Sequence, residues 1–245
     1  MQITSQIIVM CLLVLLGNSG SSYAQSAPQR LLFIGNSLTY TNELPLLVQE
    51  MYVAVKQPRP VVESITAGGA SLGDHWQTPA NRTKIIQGKW NTIVLQQGPS
   101  SLAESQRELM KDMETVKPWL KEAEAKAALF MVWPDTTRKR FYPQVRQAYA
   151  NAAKSVDGHF LPAGLAFQEV MSKEPGMALF TDGFHPTPLG TYLAAMVITS
   201  RLTGVAPDQF PASINWAKQY SVQLSKAEHQ ACIKAATLAL KDEGK

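Results

Sequence analysis

The sequence is poor in features on which several classes of protein depend. It has only two cysteines, Cys11 and Cys232, among 245 residues, so a disulfide-stabilised scaffold is excluded. The net charge is +4 without a dense Lys/Arg cluster interleaved with aromatic residues, so no nucleic-acid partner is expected. The chain also lacks the grouping of Asp and His that a metal-dependent phosphoesterase requires. We therefore expect one globular domain with a substantial core.

The N-terminal residues contain an apolar run, Ile7–Leu16. This run is shorter than the roughly 20 residues that a membrane-spanning helix needs, and Ser22-Tyr23-Ala24 follows it as a small-x-small cleavage site before Gln25. It predicts a signal peptide over residues 1–24, a mature domain over residues 25–245, no stable membrane insertion after cleavage, and a periplasmic or secreted location. Because no Lys or Arg precedes the run, a retained membrane anchor is the alternative.

The stretch Leu31–Ile34 is wholly apolar and ends abruptly at Gly35-Asn36-Ser37. An apolar run without polar alternation is typical of a parallel strand that is buried on both faces. Ligands of α/β sheets bind beyond the carboxyl ends of the strands, so Ser37 lies where such folds carry their chemistry. The alternative is that Ser37 only caps the following helix, since serine is a preferred capping residue.

The stretch Asp182-Gly183-Phe184-His185 contains an acidic residue three positions before a histidine. A serine hydroxyl becomes a good nucleophile when a base takes its proton, and a carboxylate holds that base in the right tautomer. Read singly, Asp182 could be a helix cap and His185 a packing residue. Read together with Ser37, they provide a nucleophile, a base and an orienting group.

These two blocks resemble those of the SGNH (GDSL-like) hydrolase family, and the resemblance spans most of the mature chain. It implies a flavodoxin-like three-layer α/β/α sandwich. It also implies that Ser37 is the nucleophile, His185 the general base and Asp182 its orienting partner. The chain departs from the usual Gly-Asp-Ser block at Asn36, which is nearly isosteric with Asp but uncharged.

The resemblance further implies donors for the oxyanion. Gly69, in the glycine-rich stretch 67–71, best matches the family position whose backbone N–H binds the oxyanion beside that of Ser37. Where the family has an Asn amide, this chain has Gln96 and Gln97, and a Gln amide can donate the same bond from one methylene further away. Successive strand residues point to opposite faces. We favour Gln97 because it is nearer the loop, with Gln96 as the alternative; a purely structural role for both amides stays open.

Apolar runs alternate with helical patterns along the mature chain. Strands are expected at Leu31–Ile34, Val61–Thr66, Thr92–Leu95, Ala127–Trp133 and near His159–Leu161. Helices are expected at 43–56, 102–125, 142–156 and 164–173, from Pro186 to Gly204, and from Ser225 to about Leu240. This alternation predicts an α/β fold with a five-stranded parallel sheet covered on both faces.

Three further groups have both a functional and a structural interpretation. Asp74–Trp76 could line the rim of a pocket, although surface packing is favoured. Trp133 could form the floor of an acyl or sugar subsite, although a core position is more common for such a Trp. The cations of Arg138–Arg140 could attract an anionic substrate, although a solvated loop is favoured.

We therefore expect a secreted serine esterase that removes an acyl or acetyl group from a small molecule or carbohydrate, through a covalent intermediate on Ser37. It needs no cofactor and no metal ion. The sequence does not predict the oligomeric state. The alternative is a non-catalytic periplasmic binding protein that retains the fold, which Asn36 and the missing family Asn keep open and which an intact Ser, Asp and His argue against.

Overall fold

The computed structural model describes residues 27–244. Its central sheet has five strands, β1 (Arg30–Gly35), β2 (Val61–Thr66), β3 (Thr92–Leu95), β4 (Lys126–Phe130) and β5 (His159–Leu161). Their order in the sheet is β2-β1-β3-β4-β5, and all neighbouring strands are parallel. This is the doubly wound order of flavodoxin-like folds. The predicted five-stranded parallel sheet is thus confirmed.

Helices cover both faces of the sheet and give the three-layer α/β/α arrangement. The first helices are α1 (Ser37–Tyr40), α2 (Leu44–Ala54), α3 (Leu72–Trp76), α4 (Pro79–Gln87) and α5 (Ala103–Glu122). The later ones are α6 (Tyr142–Ser155), α7 (Ala163–Lys173), α8 (Pro188–Thr203) and α9 (Lys226–Leu240). Contacts join α2, α7, α8 and α9 into one layer and α3, α4, α5 and α6 into the other.

The apolar run that precedes Ser37 forms the middle of the sheet. Side chains of Leu31–Ile34 are fully buried because β1 lies between β2 and β3 and carries helices on both faces. In register, Gly35 is paired with Thr66 and Ile34 with Leu95. The loops that follow β1, β2 and β3 therefore leave the sheet side by side.

Some elements differ in extent from the prediction. Helix α2 begins at Leu44 rather than at residue 43 because Glu43 has a left-handed backbone with φ of +54°. Strand β4 ends at Phe130, although Met131–Trp133 are buried. The reason is that its partner β5 is short and their pairing ends at Phe130 and Leu161.

An antiparallel hairpin, β6 (Ser213–Ala217) and β7 (Tyr220–Gln223), forms a separate small sheet between α8 and α9. Cys232 is a free, buried cysteine on α9. Within residues 27–244 we find no helix with the length and apolarity that crossing a membrane takes. The predicted signal peptide, residues 1–24, lies outside the described residues.

Candidate active site

The turn after β1 places Ser37 at the carboxyl end of the sheet. Ser37 is the first residue of α1, and Asn36 is the N-cap. Asn36 Oδ1 accepts a hydrogen bond from the Leu38 N–H at 3.1 Å, and Asn36 Nδ2 donates to the carbonyl of Ala70 at 3.1 Å. The alternative that Ser37 acts only as a cap is therefore wrong. The second bond also needs an N–H donor, which an ionised aspartate in place of Asn36 lacks.

Gln96 fixes this turn from the neighbouring strand end. Its Oε1 accepts hydrogen bonds from the Asn36 N–H at 2.9 Å and the Thr39 hydroxyl at 2.7 Å, while its Nε2 donates to the carbonyl of Gln97. The approach is close, because a Cβ at Gly35 would lie 2.4 Å from Gln96 Oε1. Both ends of the fully buried Gln96 amide are thus engaged by protein groups.

Ser37, His185 and Asp182 form a hydrogen-bonded chain. Ser37 Oγ lies 3.0 Å from His185 Nε2, and His185 Nδ1 lies 2.7 Å from Asp182 Oδ2. The first distance is within the hydrogen-bond range for a nucleophile and its base. The sequence predicted this proximity across 148 positions, and the structure places the three side chains together.

The carboxylate of Asp182 is ionised at neutral pH. The hydrogen bond with the His185 ring and those from the backbone N–H groups of His185 and Phe184 lower the pKa of Asp182 to about 2. The two backbone bonds, 2.7 Å and 2.9 Å long, reach its other oxygen, Oδ1. A fixed negative charge at this position stabilises an imidazolium.

The loop that carries His185 is tied to the end of β4. Trp133 Nε1 donates to the carbonyl of Phe184 at 2.8 Å, and the Thr136 N–H donates to the carbonyl of Gly183 at 3.0 Å. Gly183 has a left-handed backbone with φ of +87°, a conformation in which glycine carries no steric penalty. Trp133 is fully buried and stacked on Phe167, so it is a core residue and forms no subsite floor.

Backbone N–H groups stand free near Ser37. In the part of the chain that the structure describes, the N–H groups of Ser37 and Gly69 have no hydrogen-bond acceptor. Gly69 has φ of +70°, and a Cβ there would meet nothing within 4 Å. The glycine is therefore needed for its backbone conformation, which turns the loop after β2, rather than for space.

The side-chain amides of Gln97 and Gln96 have different surroundings. Gln97 lines a cavity that also contacts Asn36 and Gly69. The Gln97 amide makes only two long contacts of 3.4 Å, from the Leu72 N–H and to the carbonyl of Ser105. Hydrogen bonds of this kind are usually 2.7–3.2 Å long, so this amide is loosely held, whereas that of Gln96 is fully engaged.

This cavity has a volume of about 640 Å³ and an open mouth. Short hydroxyl side chains line much of it, namely Ser71, Ser100, Ser101, Ser105 and Thr137. Pro99, Leu102 and Phe184 add apolar surface, and Glu108, Asp135 and Arg138 add charge. Hydrogen bonds from the Thr137 hydroxyl and N–H lower the pKa of Asp135. The cavity therefore has room and polarity for a hydroxylated small molecule.

A buried tyrosine forms hydrogen bonds with the backbone of Gln97 and Gly98. Tyr149 Oη lies 3.1 Å from the Gln97 N atom, 2.6 Å from the Gln97 carbonyl oxygen and 3.0 Å from that of Gly98. Burial raises the pKa of Tyr149, so its hydroxyl stays neutral and keeps a proton to donate. Tyr149 therefore fixes the backbone of Gln97, whereas the side-chain amide of Gln97 is only loosely held.

The remaining predicted residues have mainly structural roles. His75 is buried, with Nε2 2.9 Å from the carbonyl oxygen of Gly35. Asp74 forms a capping box with Ser71, and Trp76 packs edge-to-face on Trp119. Arg138 lines the cavity described above, whereas its neighbours Lys139 and Arg140 do not. Across residues 27–244, His, Cys, Asp and Glu side chains form no group of three that could hold a metal ion.

Comparisons with known proteins identify the fold. No family model and no curated protein sequence matches the chain. A candidate SGNH hydrolase from Slackia heliotrinireducens is 22% identical, with a TM-score of 0.62 over 72% of this chain and 100% of its own. The chain has the SGNH-hydrolase fold.

Other structures with similarity to this SGNH fold cover more of the chain or carry a stated activity. A DUF4886 family protein from Bacteroides uniformis is 20% identical, with a TM-score of 0.66 over 89% of this chain and 97% of its own. A catalytic mutant of an acetylxylan esterase from Geobacillus stearothermophilus is 16% identical, with a TM-score of 0.52 over 72% of this chain and 93% of its own.

Within the SGNH fold, two site features were not predicted from the sequence. One is the bond from Asn36 to Ala70, which joins the loops after β1 and β2. The other is the position of Tyr149 under Gln97. The only sequence feature that pointed to Tyr149 was its place as an aromatic residue on the buried face of α6, and such a residue usually serves in packing.

Proposed function

We propose that the protein is an ester hydrolase in which Ser37 is the nucleophile, His185 the general base and Asp182 the group that orients and stabilises His185. One observation carries the proposal, namely the 3.0 Å contact between Ser37 Oγ and His185 Nε2, with Asp182 on the other ring nitrogen. This geometry is what a serine-hydrolase triad requires, and it supports the proposed roles.

Acyl transfer on this site takes two steps. Ser37 Oγ attacks the ester carbonyl while its proton passes to His185 Nε2, and the tetrahedral intermediate collapses as the imidazolium gives that proton to the departing alkoxide. The product of this step is an acyl ester of Ser37 and a free alcohol. Water then attacks the acyl-enzyme with His185 again as base, and a carboxylic acid leaves. The chemistry needs no cofactor.

The developing oxyanion has three proposed donors. The unbonded N–H groups of Ser37 and Gly69 are the backbone donors, and the loosely held amide of Gln97 is the third. Hydrogen-bond donors at the oxyanion position stabilise the negative charge that develops in the transition state. Gln96 is less suited because its amide is engaged by Asn36, Thr39 and Gln97.

We propose an acyl or acetyl ester of a carbohydrate or another small hydroxylated molecule as the substrate. The hydroxyl-rich lining of the 640 Å³ cavity supports this choice, and one protein with this fold is named an acetylxylan esterase. We also propose a periplasmic or secreted location, because Ile7–Leu16 and Ser22-Tyr23-Ala24 have the pattern of a signal peptide.

Turnover of short-chain nitrophenyl esters and acetylated sugars tests the proposal. Ser37→Ala and His185→Ala should each lower kcat by about a thousandfold or more. A fluorophosphonate should label Ser37, as peptide mass spectrometry can show. Ser172→Ala, at an exposed serine on α7, is the control and should keep full activity. An active enzyme that is indifferent to both site substitutions, or a chain with no ester turnover, would contradict the proposal; the second result favours the non-catalytic binding protein.

A further inference from the structure

Asn42 connects the Ser37 segment to the His185 loop. It lies in the short 3-10 turn between α1 and α2. Its Nδ2 donates one hydrogen bond to the carbonyl of Pro186 at 2.8 Å and another to Thr191 Oγ1 at 2.8 Å. Pro186 directly follows His185, and Thr191 lies in the first turn of α8. One side chain thus joins the nucleophile segment to the residue after the base and to the start of the helix that follows.

Few other hydrogen bonds make this connection. Among the described residues, the hydrogen bonds between residues 36–43 and residues 178–191 are those of Asn42 and the contact between Ser37 and His185 themselves. The other bonds of the His185 loop run within it or to the end of β4. They link the His185 loop directly to the segment that follows β4, whereas the Asn42 bonds link the residues after His185 directly to the Ser37 segment.

The chemistry at position 42 requires an amide with two donors. The carbonyl of Pro186 can only accept. The hydroxyl of Thr191 is 3.1 Å from the carbonyl of Thr187, to which it donates, so it offers a lone pair to Asn42. An ionised aspartate has no donor for either partner, and serine has only one.

The backbone of Asn42 is held as well. Its φ of +52° and ψ of +26° are left-handed, a conformation that Asn tolerates better than most residues. Its carbonyl accepts a hydrogen bond of 2.6 Å from Trp216 Nε1. Trp216 lies on the β6–β7 hairpin, where its ring stacks on Tyr220. Through this hydrogen bond the hairpin contacts the turn that follows the nucleophile.

We propose that Asn42 is a positioning residue that sets the separation of Ser37 and His185, and that Trp216 holds it in place. The inference rests on the proposed esterase function. A misplacement of about 1 Å in a reacting pair can cost about 100-fold in rate. Loss of the Asn42 bonds therefore acts on kcat through His185, without contact with the substrate.

Steady-state kinetics of Asn42→Gly and Asn42→Asp with a short nitrophenyl ester test this proposal. Glycine keeps the left-handed backbone and removes the amide, whereas aspartate keeps the shape and removes the donors. Each should lower kcat about 10- to 100-fold and change KM by less than about twofold. Glu43→Gly is the matched control: Glu43 is adjacent, has φ of +54° and is exposed, and its substitution should leave kcat unchanged.

A double-mutant comparison separates positioning from general structural damage. In a His185→Ala background the base is gone, so Asn42→Gly should cause almost no further loss of the residual rate. The same fold-loss in both backgrounds, or full kcat in the single Asn42 variants, would overturn the proposal.

Trp216→Phe keeps the proposal testable if the Asn42 variants do not fold. It removes the bond to the Asn42 carbonyl and keeps an aromatic ring on Tyr220. In the natural sequence this substitution should lower kcat about three- to tenfold. In the His185→Ala background it should leave the residual rate of ester turnover unchanged. An equal fold-loss in both backgrounds would overturn the proposal. If instead His185→Ala and Ser37→Ala themselves keep full turnover, it is the esterase function that fails.

Discussion

Amide side chains hold the segment that carries Ser37. Asn36 and Asn42 each donate an N–H to a carbonyl on another loop. Gln96 instead accepts hydrogen bonds from Asn36 and Thr39 through its Oε1. The sequence identified Ser37, Asp182 and His185 because they stand in recognisable blocks. A single amide has no such pattern, since its role depends on which carbonyls the fold brings near it. The sequence therefore predicted the reactive groups but not the network that holds them.

Gln97 is the amide whose role can be measured most directly. If Gln97 donates to the oxyanion, Gln97→Ala should lower kcat about 10- to 1,000-fold with little change in KM, because the bond forms mainly in the transition state. Gln96→Ala should mainly lower the melting temperature, because it removes the bonds to Asn36 and Thr39. Steady-state kinetics and thermal unfolding of both variants give the comparison. The reverse pattern would assign the oxyanion to Gln96.

Asp112, on the buried side of α5, gives a pH-dependent prediction for stability. Burial, with smaller contributions from Glu108 and Asp74, raises the pKa of Asp112 to about 6, although the Gly73 N–H opposes this. The folded state thus binds a proton more tightly than the unfolded state does. Stability from the protonated group is full below about pH 4 and is lost as the pH rises through 6.

Asp112→Asn should therefore raise the melting temperature at pH 7.5 by about 2–4 °C. At pH 4 the difference should vanish, since the natural side chain is then neutral too. Thermal unfolding at the two pH values is the measurement. A variant that is less stable than the natural protein at pH 7.5 would show that Asp112 is stabilised as a carboxylate.

At the scale of elements, the pattern of buried strands was predictable and the hairpin was not predicted. The inner strands of a parallel sheet are continuous apolar runs, and β1 and β3 lie where such runs occur. The edge strand β2 is only partly buried and contains Glu63, and it was predicted from its β-branched residues instead. In β6, Ile214 and Trp216 are buried while Ser213 and Asn215 are exposed. This alternation is a recognisable strand signal, but it is short. The left-handed turn at Asn42 has no comparable signal, because its partners are distant in sequence.

The loop that carries His185 should be sensitive to substitution at Gly183. Alanine there requires a left-handed backbone, which costs about 1–2 kcal/mol, and its Cβ would lie 2.7 Å from Thr136 Oγ1. We expect Gly183→Ala to lower the melting temperature by about 2–4 °C for each kcal/mol of lost stability. It should also lower kcat by about tenfold, because His185 is displaced.

Gly204→Ala is the matched control for this substitution. Gly204 has φ of +76° at the end of α8, and a Cβ there meets nothing within 4 Å. Its replacement has a similar backbone cost but should leave kcat unchanged. Comparable losses of kcat in the two variants would mean that kcat follows stability rather than loop position.

At the scale of the whole molecule, the prediction concerns the N-terminus. The first strand begins at Arg30, and the proposed cleavage after Ala24 leaves it intact. Protein isolated after export should begin at Gln25 or within a few residues of it, as N-terminal sequencing can determine. Met1 retained on a soluble cytoplasmic protein would contradict the proposed signal peptide and location.

The order of the parts along the chain bears on synthesis. Ser37 is made early, the sheet is complete once β5 ends at Leu161, His185 comes later, and Trp216 comes last of these. A chain leaves the ribosome from its N-terminus, and its domains generally fold as units. Under the proposed mechanism, a nascent chain carries the nucleophile long before its base. It therefore lacks its general base until translation has passed the His185 loop, even though its sheet is already complete.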